Sequence, residues 1–129
     1  MKLLLDTHIW IWLLDTPQRV GPYASQALAD PANELWLSAV STWEVLTLHR
    51  KGRIHLPANL SEWFALALAG IRQRVPLTHE IVLAAHNLHL HDDPADRFLA
   101  ATAQVLDLTL VTADQRLLGL GNIRTMANR

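Results

Sequence analysis

A short aliphatic run near the start of the chain, Leu3-Leu4-Leu5, ends abruptly at the acid Asp6. A run this short, apolar at consecutive positions and closed by polar residues, is typical of a β-strand that is buried on both faces. Such strands form parallel sheets covered by helices, and ligands of these sheets bind at the carboxyl ends of the strands. Asp6 is therefore expected at the edge of a sheet where ligands bind.

Similar short apolar runs recur along the chain and alternate with segments of helical periodicity. Strands are predicted over residues 34–38 and 108–112, with shorter extended segments at 75–77 and 123–125. Helices are predicted over residues 8–14, 21–29, 41–50, 60–74, 79–89 and 94–107, and after Asp114 as far as Leu118. This alternation predicts a parallel sheet with helices on both faces, which is an α/β sandwich.

The composition fits one domain, residues 1–129, in which 50% of the residues are apolar and 18% are charged, so a buried core is expected. The absence of cysteine excludes disulfides, thiolate zinc sites and thiol nucleophiles. A formal net charge of −1 neither indicates nor excludes binding to nucleic acid. The sequence shows neither a membrane span nor a signal peptide, so a cytoplasmic location is expected.

Four acids occupy positions from which they can converge: Asp6, Glu44, Asp96 and Asp114. Asp6 and Asp114 each follow a predicted strand, and Glu44 lies a turn into the helix after a third strand. Asp96 lies in the first turn of the helix that leads into the strand before Asp114. Because the carboxyl ends of parallel strands share one edge, these acids are expected in one crevice.

Each acid also has a purely structural interpretation. Asp6 and Asp114 precede helices, where an acid is a favoured N-cap. Ser41-x-x-Glu44 matches a capping box, in which the glutamate would bond back to the Ser41 amide. Asp93 fits the cap of the helix that begins at Pro94, which would leave the acid that follows as an ordinary residue of its first turn.

Together the four acids favour a cation site over four separate caps. Clustered carboxylates repel one another and stay ionised only if a cation neutralises them. A hard divalent ion with oxygen ligands, Mg²⁺ or Mn²⁺, suits such a cluster. An ion held by carboxylates, with open positions for water, is suited to hydrolysis of a phosphodiester.

At these residues the sequence resembles the PIN-domain ribonucleases, and most closely the VapC-type toxins of prokaryotic toxin–antitoxin pairs. The resemblance rests on four blocks that occur in the family's order: Leu4-Leu5-Asp6-Thr7-His8, Ser41-x-Trp43-Glu44, Asp93-Pro94-x-Asp96-Arg97-x-Leu99-x-Ala101-x-Ala103 and Leu110-Val111-Thr112-Ala113-Asp114. One departure is Ala95, where similar sequences commonly carry a bulky apolar residue.

The resemblance implies a three-layer α/β/α sandwich with a central, mostly parallel sheet, and cleavage of RNA that depends on Mg²⁺ or Mn²⁺. It places the metal-binding acids at the four positions above, with supporting hydroxyls at Thr7 and Thr112. It also implies a homodimer and a small antitoxin that blocks the cleft. Asp93 and Arg97 are further candidates. Asp93 is a candidate for a supporting role, and Arg97 can hold RNA phosphate, hold the acids or only cap the surface.

Other polar and aromatic residues have both a functional and a structural interpretation. His86, His89 and His91 are spaced as zinc ligands can be, but histidines also favour exposed helix ends. The basic residues at positions 50, 51 and 53 form a cluster that can be a solvated face or a binding site for an RNA backbone. The tryptophans at positions 36, 43 and 63 are expected in the core or in a subunit interface rather than stacked on bases.

Two other functions remain open from the residues alone. One is a metal-dependent phosphoryl hydrolase of another substrate class, although the second aspartate that aspartyl-nucleophile enzymes carry two residues on is His8 here. The other is a non-catalytic domain in which the acids are caps and the apolar first helix binds a partner. A rise in melting temperature with added cation would argue against this last alternative.

Overall fold

A computed structural model describes all residues, 1–129. The strands are β1 (Lys2–Leu5), β2 (Glu34–Ser38), β3 (Gln73–Val75), β4 (Thr109–Thr112) and β5 (Arg124–Ala127). The helices are α1 (Thr7–Asp15), α2 (Pro22–Ala29), α3 (Ala39–Arg50), α4 (Leu60–Ala67), α5 (His79–His86), α6 (Pro94–Leu106) and α7 (Gln115–Leu118), and a 3₁₀ turn (Pro17–Arg19) joins α1 to α2.

The five strands form one sheet in the order β3-β2-β1-β4-β5, and every pair is parallel. The aliphatic strand β1 lies at the centre, with Leu4 opposite Trp36 of β2 and Leu110 of β4. A central strand is covered on both faces, which explains why β1 is a continuous apolar run rather than an alternating one.

Successive leucines of β1 enter two separate cores, because neighbouring side chains of a strand point to opposite faces. Leu4 packs with residues of α5, α6 and α7 on one face of the sheet. Leu3 and Leu5 pack on the other face with α1, α2 and α4, where Trp10 is almost fully buried. The sheet is therefore the middle layer of a three-layer α/β/α sandwich, as the sequence predicted.

The largest difference from the sequence prediction lies in residues 60–74, where a single helix is expected. Helix α4 ends at Ala67, and Gln73–Val75 is the edge strand β3, paired with β2. The helical pattern continues beyond the helix because Leu68 and Ile71 also pack against the core. Gly70 lies in the turn between α4 and β3, where the helix does not continue because glycine is a poor helix former.

The tryptophans expected in the core or in a subunit interface divide into two groups. Trp36 and Trp63 are partly buried against the two cores, as predicted. Trp43 is 58% exposed, so it lies outside the core, and its place in a subunit interface stays a prediction. The buried residues of α3 are Val40, Ser41 and Val45, which leaves the Trp43 side of the helix facing solvent.

None of the helices is both long and apolar enough to cross a bilayer.

Candidate active site

The carboxyl ends of the adjacent strands β2, β1 and β4 bring the segments that carry the acids to one edge of the sheet. Asp6 directly follows β1, and Asp114 caps α7 just after β4. Glu44 lies in the second turn of α3, which follows β2. Asp96 lies in the first turn of α6, whose start is at the same edge because the helix runs back to the beginning of β4.

Asp6 is buried, with 7% of its surface exposed, and its carboxylate accepts a hydrogen bond of 2.6 Å from the hydroxyl of Thr112. The residue occupies the N-cap position of α1, but its side chain makes no capping hydrogen bond. Burial raises the pKa of Asp6, and repulsion from Asp96 raises it further, against the opposing effect of the Thr112 hydrogen bond. The carboxylate of Asp6 therefore faces the other acids rather than capping a helix.

Glu44 is held by the hydroxyl of Thr7, which also lies 2.8 Å from the hydroxyl of buried Ser41. Since a hydroxyl has one proton, Thr7 donates to an ionised Glu44 and accepts from Ser41. The predicted capping box is wrong: the N-cap of α3 is Ser38, whose hydroxyl accepts from the Val40 amide at 3.0 Å. Burial, followed by repulsion from neighbouring aspartates, raises the pKa of Glu44 to about 7.

Asp96 is paired with a histidine that the sequence prediction did not include in the site. Nε2 of His91 lies 2.7 Å from an oxygen of Asp96. Asp93 accepts from the amides of Ala95 and Asp96 at 3.0 and 3.2 Å, so it is the N-cap of α6. Burial raises the pKa of Asp96, and repulsion from Asp93 and Asp114 adds to this effect.

Asp114 differs from the other acids because its charge is already paired. Its carboxylate accepts from the Arg116 amide at 2.8 Å as the N-cap of α7, and it lies 2.9 Å from the guanidinium of the same residue. The hydrogen bond from Arg116 lowers the pKa of Asp114. The same guanidinium nitrogen lies 3.9 Å from an oxygen of Asp96. The backbone amide of Asp114 donates a hydrogen bond of 3.0 Å to the Thr112 hydroxyl.

Arg97 lies in the same segment but binds backbone carbonyls rather than the acids. Its guanidinium donates to the carbonyls that end α5 and to those of the following loop. The shortest of these bonds, 2.6 and 2.7 Å, reach Leu90 and Ala85. Arg97 therefore fixes the segment between α5 and α6, which positions the start of α6 and Asp96.

Three residues at the site are not identified as part of it by the sequence: Ser41, His91 and Arg116. The sequence pattern makes Ser41 a cap, although its place three residues before Glu44 sets it on the same helix face. Spacing alone groups His91 with His86 and His89 as zinc ligands, and the structure places it instead with Asp93 and Asp96, their ligand atoms within 4.8 Å of one another.

The donor chemistry of this cluster fits a hard divalent cation. The ligand atoms that lie within 4.8 Å of one another are two carboxylate oxygens, of Asp93 and Asp96, and an imidazole nitrogen of His91. Asp6 and Glu44 add carboxylates close enough to repel Asp96, and no thiolate is available. Burial and mutual repulsion raise the pKa values of Asp6, Glu44 and Asp96. Hydrogen bonds from Thr112 and Thr7 and the pairing of His91 with Asp96 compensate their negative charge only in part. A cation would complete that compensation, whereas Asp114 is already paired with Arg116.

Comparison with known proteins places the chain in a family. The sequence profile of the PIN domain matches residues 3–122. Ribonuclease VapC22 of Mycobacterium tuberculosis is 36% identical over 117 residues, which cover 89% of this chain and 88% of that protein.

Solved structures of similar fold agree with this result. VapBC2 from Rickettsia felis, solved with a DNA fragment from its promoter, matches with a TM-score of 0.73 and 16% identity over 98% of each chain. A toxin–antitoxin complex from Klebsiella pneumoniae matches with a TM-score of 0.71 and 22% identity, also over 98% of each chain. At these identities the two structures support the fold alone, while the profile match and the VapC22 relative show that this chain belongs to the PIN-domain family.

Proposed function

We propose that this protein is an endoribonuclease that hydrolyses RNA phosphodiester bonds with the help of Mg²⁺ or Mn²⁺. The observation that carries the proposal is the convergence of Asp6, Glu44 and Asp96 at one edge of the sheet, where burial and mutual repulsion raise the pKa of each. The identity of 36% to a ribonuclease supports RNA as the substrate. Asp114 completes the acid set at the same edge.

Asp6, Glu44 and Asp96 would hold the cation, and the bound cation would activate water and polarise the scissile phosphate. The surrounding residues orient these carboxylates: Thr112 holds Asp6, Thr7 holds Glu44, and His91 holds Asp96. Fixed carboxylates need not reorganise when charge develops on the phosphate, which is the basis of electrostatic catalysis. No residue of the site is proposed as a covalent nucleophile.

Asp114 and Arg116 have a different role in the proposal. Arg116 reaches both Asp114 and Asp96, and its side chain is 61% exposed. The guanidinium therefore lies beside the acids and remains accessible to solvent. We assign Asp114 to the cation site as its outer acid, which is available to a cation only when Arg116 turns away.

The proposal extends to the protein's partners. The chain resembles the toxin of a toxin–antitoxin pair, and the similar structure from Klebsiella pneumoniae is a toxin–antitoxin complex. We therefore propose a cognate antitoxin as the protein partner, and a homodimer of single-domain chains, residues 1–129, as the active assembly.

Cleavage of a fluorophore-quencher RNA by the purified protein tests the function directly. We expect cleavage with Mg²⁺ or Mn²⁺ and none with EDTA. Asp6→Asn and Asp96→Asn should abolish cleavage, because each removes a charged oxygen donor from the cluster. Asp92→Asn is a matched control, since Asp92 is an exposed neighbour outside the cluster.

The controls separate the proposal from the other functions. Cleavage that survives EDTA, or that persists in both site variants, would refute the metal-dependent mechanism. Hydrolysis of p-nitrophenyl phosphate in the absence of any RNA cleavage would instead favour a phosphoryl hydrolase of another substrate class. Inactivity on both substrates, with no rise in melting temperature on adding cation, would favour a non-catalytic domain.

A further inference from the structure

A groove of about 640 Å³ lies beside the acids, between α3 and the beginning of α6. We call it the α3 groove. Glu44 and Asp93 line it, so the groove is continuous with the acid cluster. Its volume is in the range of about 300–1,000 Å³ that is typical of pockets for drug-sized molecules, which is large enough for a nucleotide.

Trp43 supplies an exposed aromatic surface to the α3 groove. The side chain lines the groove and 58% of the residue is exposed, whereas the other four tryptophans are buried or half-buried. The guanidinium of Arg50 lies 4.9 Å from the centre of the Trp43 ring. An exposed indole with a guanidinium beside it, next to an acid cluster, presents both an aromatic face and a positive charge to a ligand in the groove.

The cations around the α3 groove have no acidic partner within the protein. Lys51 and Arg53 line the groove, and Arg50 lies on the tryptophan. None of these residues takes part in any of the five ion pairs of the structure. The groove therefore has acids where it meets the site and unpaired cations along its wall, beside an exposed aromatic ring.

We infer that the α3 groove binds single-stranded RNA, with one base stacked on Trp43 and adjacent phosphates bound by Lys51 and Arg53. Aromatic rings stack on unpaired bases, while the bases of a duplex are already stacked on one another. Unpaired cations suit a polyanion better than an apolar protein segment. The inference rests on the proposed function, because it places the substrate next to the acids that would cleave it.

The inference assigns a substrate-binding role to Trp43 that a purely structural role would not explain. Trp43→Ala should raise KM for a single-stranded RNA about tenfold to a hundredfold, given the usual strength of base stacking. Trp43→Phe should restore most of the loss, because phenylalanine also stacks. The melting temperature should change little, since the side chain is exposed. Tyr23→Ala is the matched control, because Tyr23 is 61% exposed and lies on α2.

The cations are tested by the salt dependence of the same KM. The double variant Lys51→Ala/Arg53→Ala removes two proposed phosphate contacts. The slope of log KM against log salt concentration should fall by about 1.4, since each phosphate contact to a single strand contributes about 0.7. An unchanged slope would contradict the assignment of these two residues.

Binding of a fluorescein-labelled 12-nucleotide single-stranded RNA separates this inference from the proposed function. If the protein cleaves RNA and Trp43→Ala has the wild-type KM and affinity, the inference is wrong and the proposed function stands. If Trp43→Ala weakens RNA binding in a protein that never cleaves RNA, the inference stands and the proposed function fails. If the substitution weakens only the binding of a partner protein, the groove is a protein interface and the inference is overturned.

Discussion

Replacing Glu44 with glutamine should make the metal-free protein more stable at alkaline pH while abolishing its activity. Glu44 is held among other acids, and burial raises its pKa from 4.5 to about 7. Because the pKa of Glu44 is higher in the folded than in the unfolded state, the folded protein holds a proton on Glu44 at pH values where the unfolded chain has lost it. The stability that this proton provides is present in full below about pH 4.5 and is lost as the pH rises to about 7. Glutamine does not titrate and avoids this loss.

The size of the effect follows from the difference between the folded and unfolded pKa of Glu44. A pKa difference of 1 corresponds to about 1.4 kcal/mol of free energy, so the full rise at Glu44 would be worth roughly 3 kcal/mol. The side chain is only half-buried, and solvent screening reduces this figure to about 1–2 kcal/mol. For a chain of this length that is a gain of about 4–8 °C in melting temperature at pH 8.

Thermal melts of wild-type protein and Glu44→Gln in EDTA, at pH 4.5, 6, 7 and 8, provide the assay. The two proteins should melt together at pH 4.5 and diverge as the pH rises, with the variant more stable. Glu80→Gln, which removes an exposed glutamate outside the cluster, controls for the loss of one negative charge. A melting-temperature difference that does not vary with pH, or a less stable variant at pH 8, would refute the reasoning.

Three further predictions concern residues that contact the acids or position the segments that carry them. Thr7→Val removes the hydroxyl that orients Glu44. In steady-state cleavage assays this variant should have a kcat about tenfold lower, which is the usual effect of losing a hydrogen bond to a charged group, and a nearly unchanged KM. Arg97→Ala leaves several carbonyls of the α5–α6 segment without their donor and should cost about 3 kcal/mol in urea unfolding. Arg116→Gln removes the partner of Asp114, so the pKa of that carboxyl should rise towards its ordinary value in an NMR titration.

The central strands of the sheet could be predicted because each is marked by the residue pattern of its own segment. The run Leu3-Leu4-Leu5 and the β-branched run before Thr112 are short, apolar and closed by polar residues, and both form central strands. The edge strand β3 is predicted two residues too late, at 75–77, because Gln73–Val75 carries two polar residues out of three and the helical pattern runs into it. An edge strand of this kind is defined by its hydrogen bonds to β2 and not by its own pattern.

The positions of the candidate acids could be predicted from topology, but the residues that hold them could not. Parallel strands place their carboxyl ends together, so Asp6 and Asp114 had to lie at one edge. The contact of Thr7 with Ser41 and Glu44 joins residues more than thirty positions apart. Such a contact depends on how α3 packs against α1, which no local pattern specifies.

The sequence motifs are also ambiguous about which helix positions are caps. Ser41-x-x-Glu44 fits a capping box, yet α3 begins three residues earlier with Ser38 as its cap. Asp93 and Asp114 are caps, as their structural interpretation predicted. Asp6 occupies a cap position without using its side chain, because Thr112 binds the carboxylate instead. Only tertiary contacts distinguish these cases.

Anomalous diffraction from crystals soaked in Mn²⁺ tests the central claim most directly, because it locates the cation without relying on activity. The account predicts a manganese peak within coordination distance of oxygens of Asp6, Glu44 and Asp96, and its loss in crystals of Asp6→Asn. A structure with no peak at these acids, or with manganese bound only at a distant surface, would contradict it.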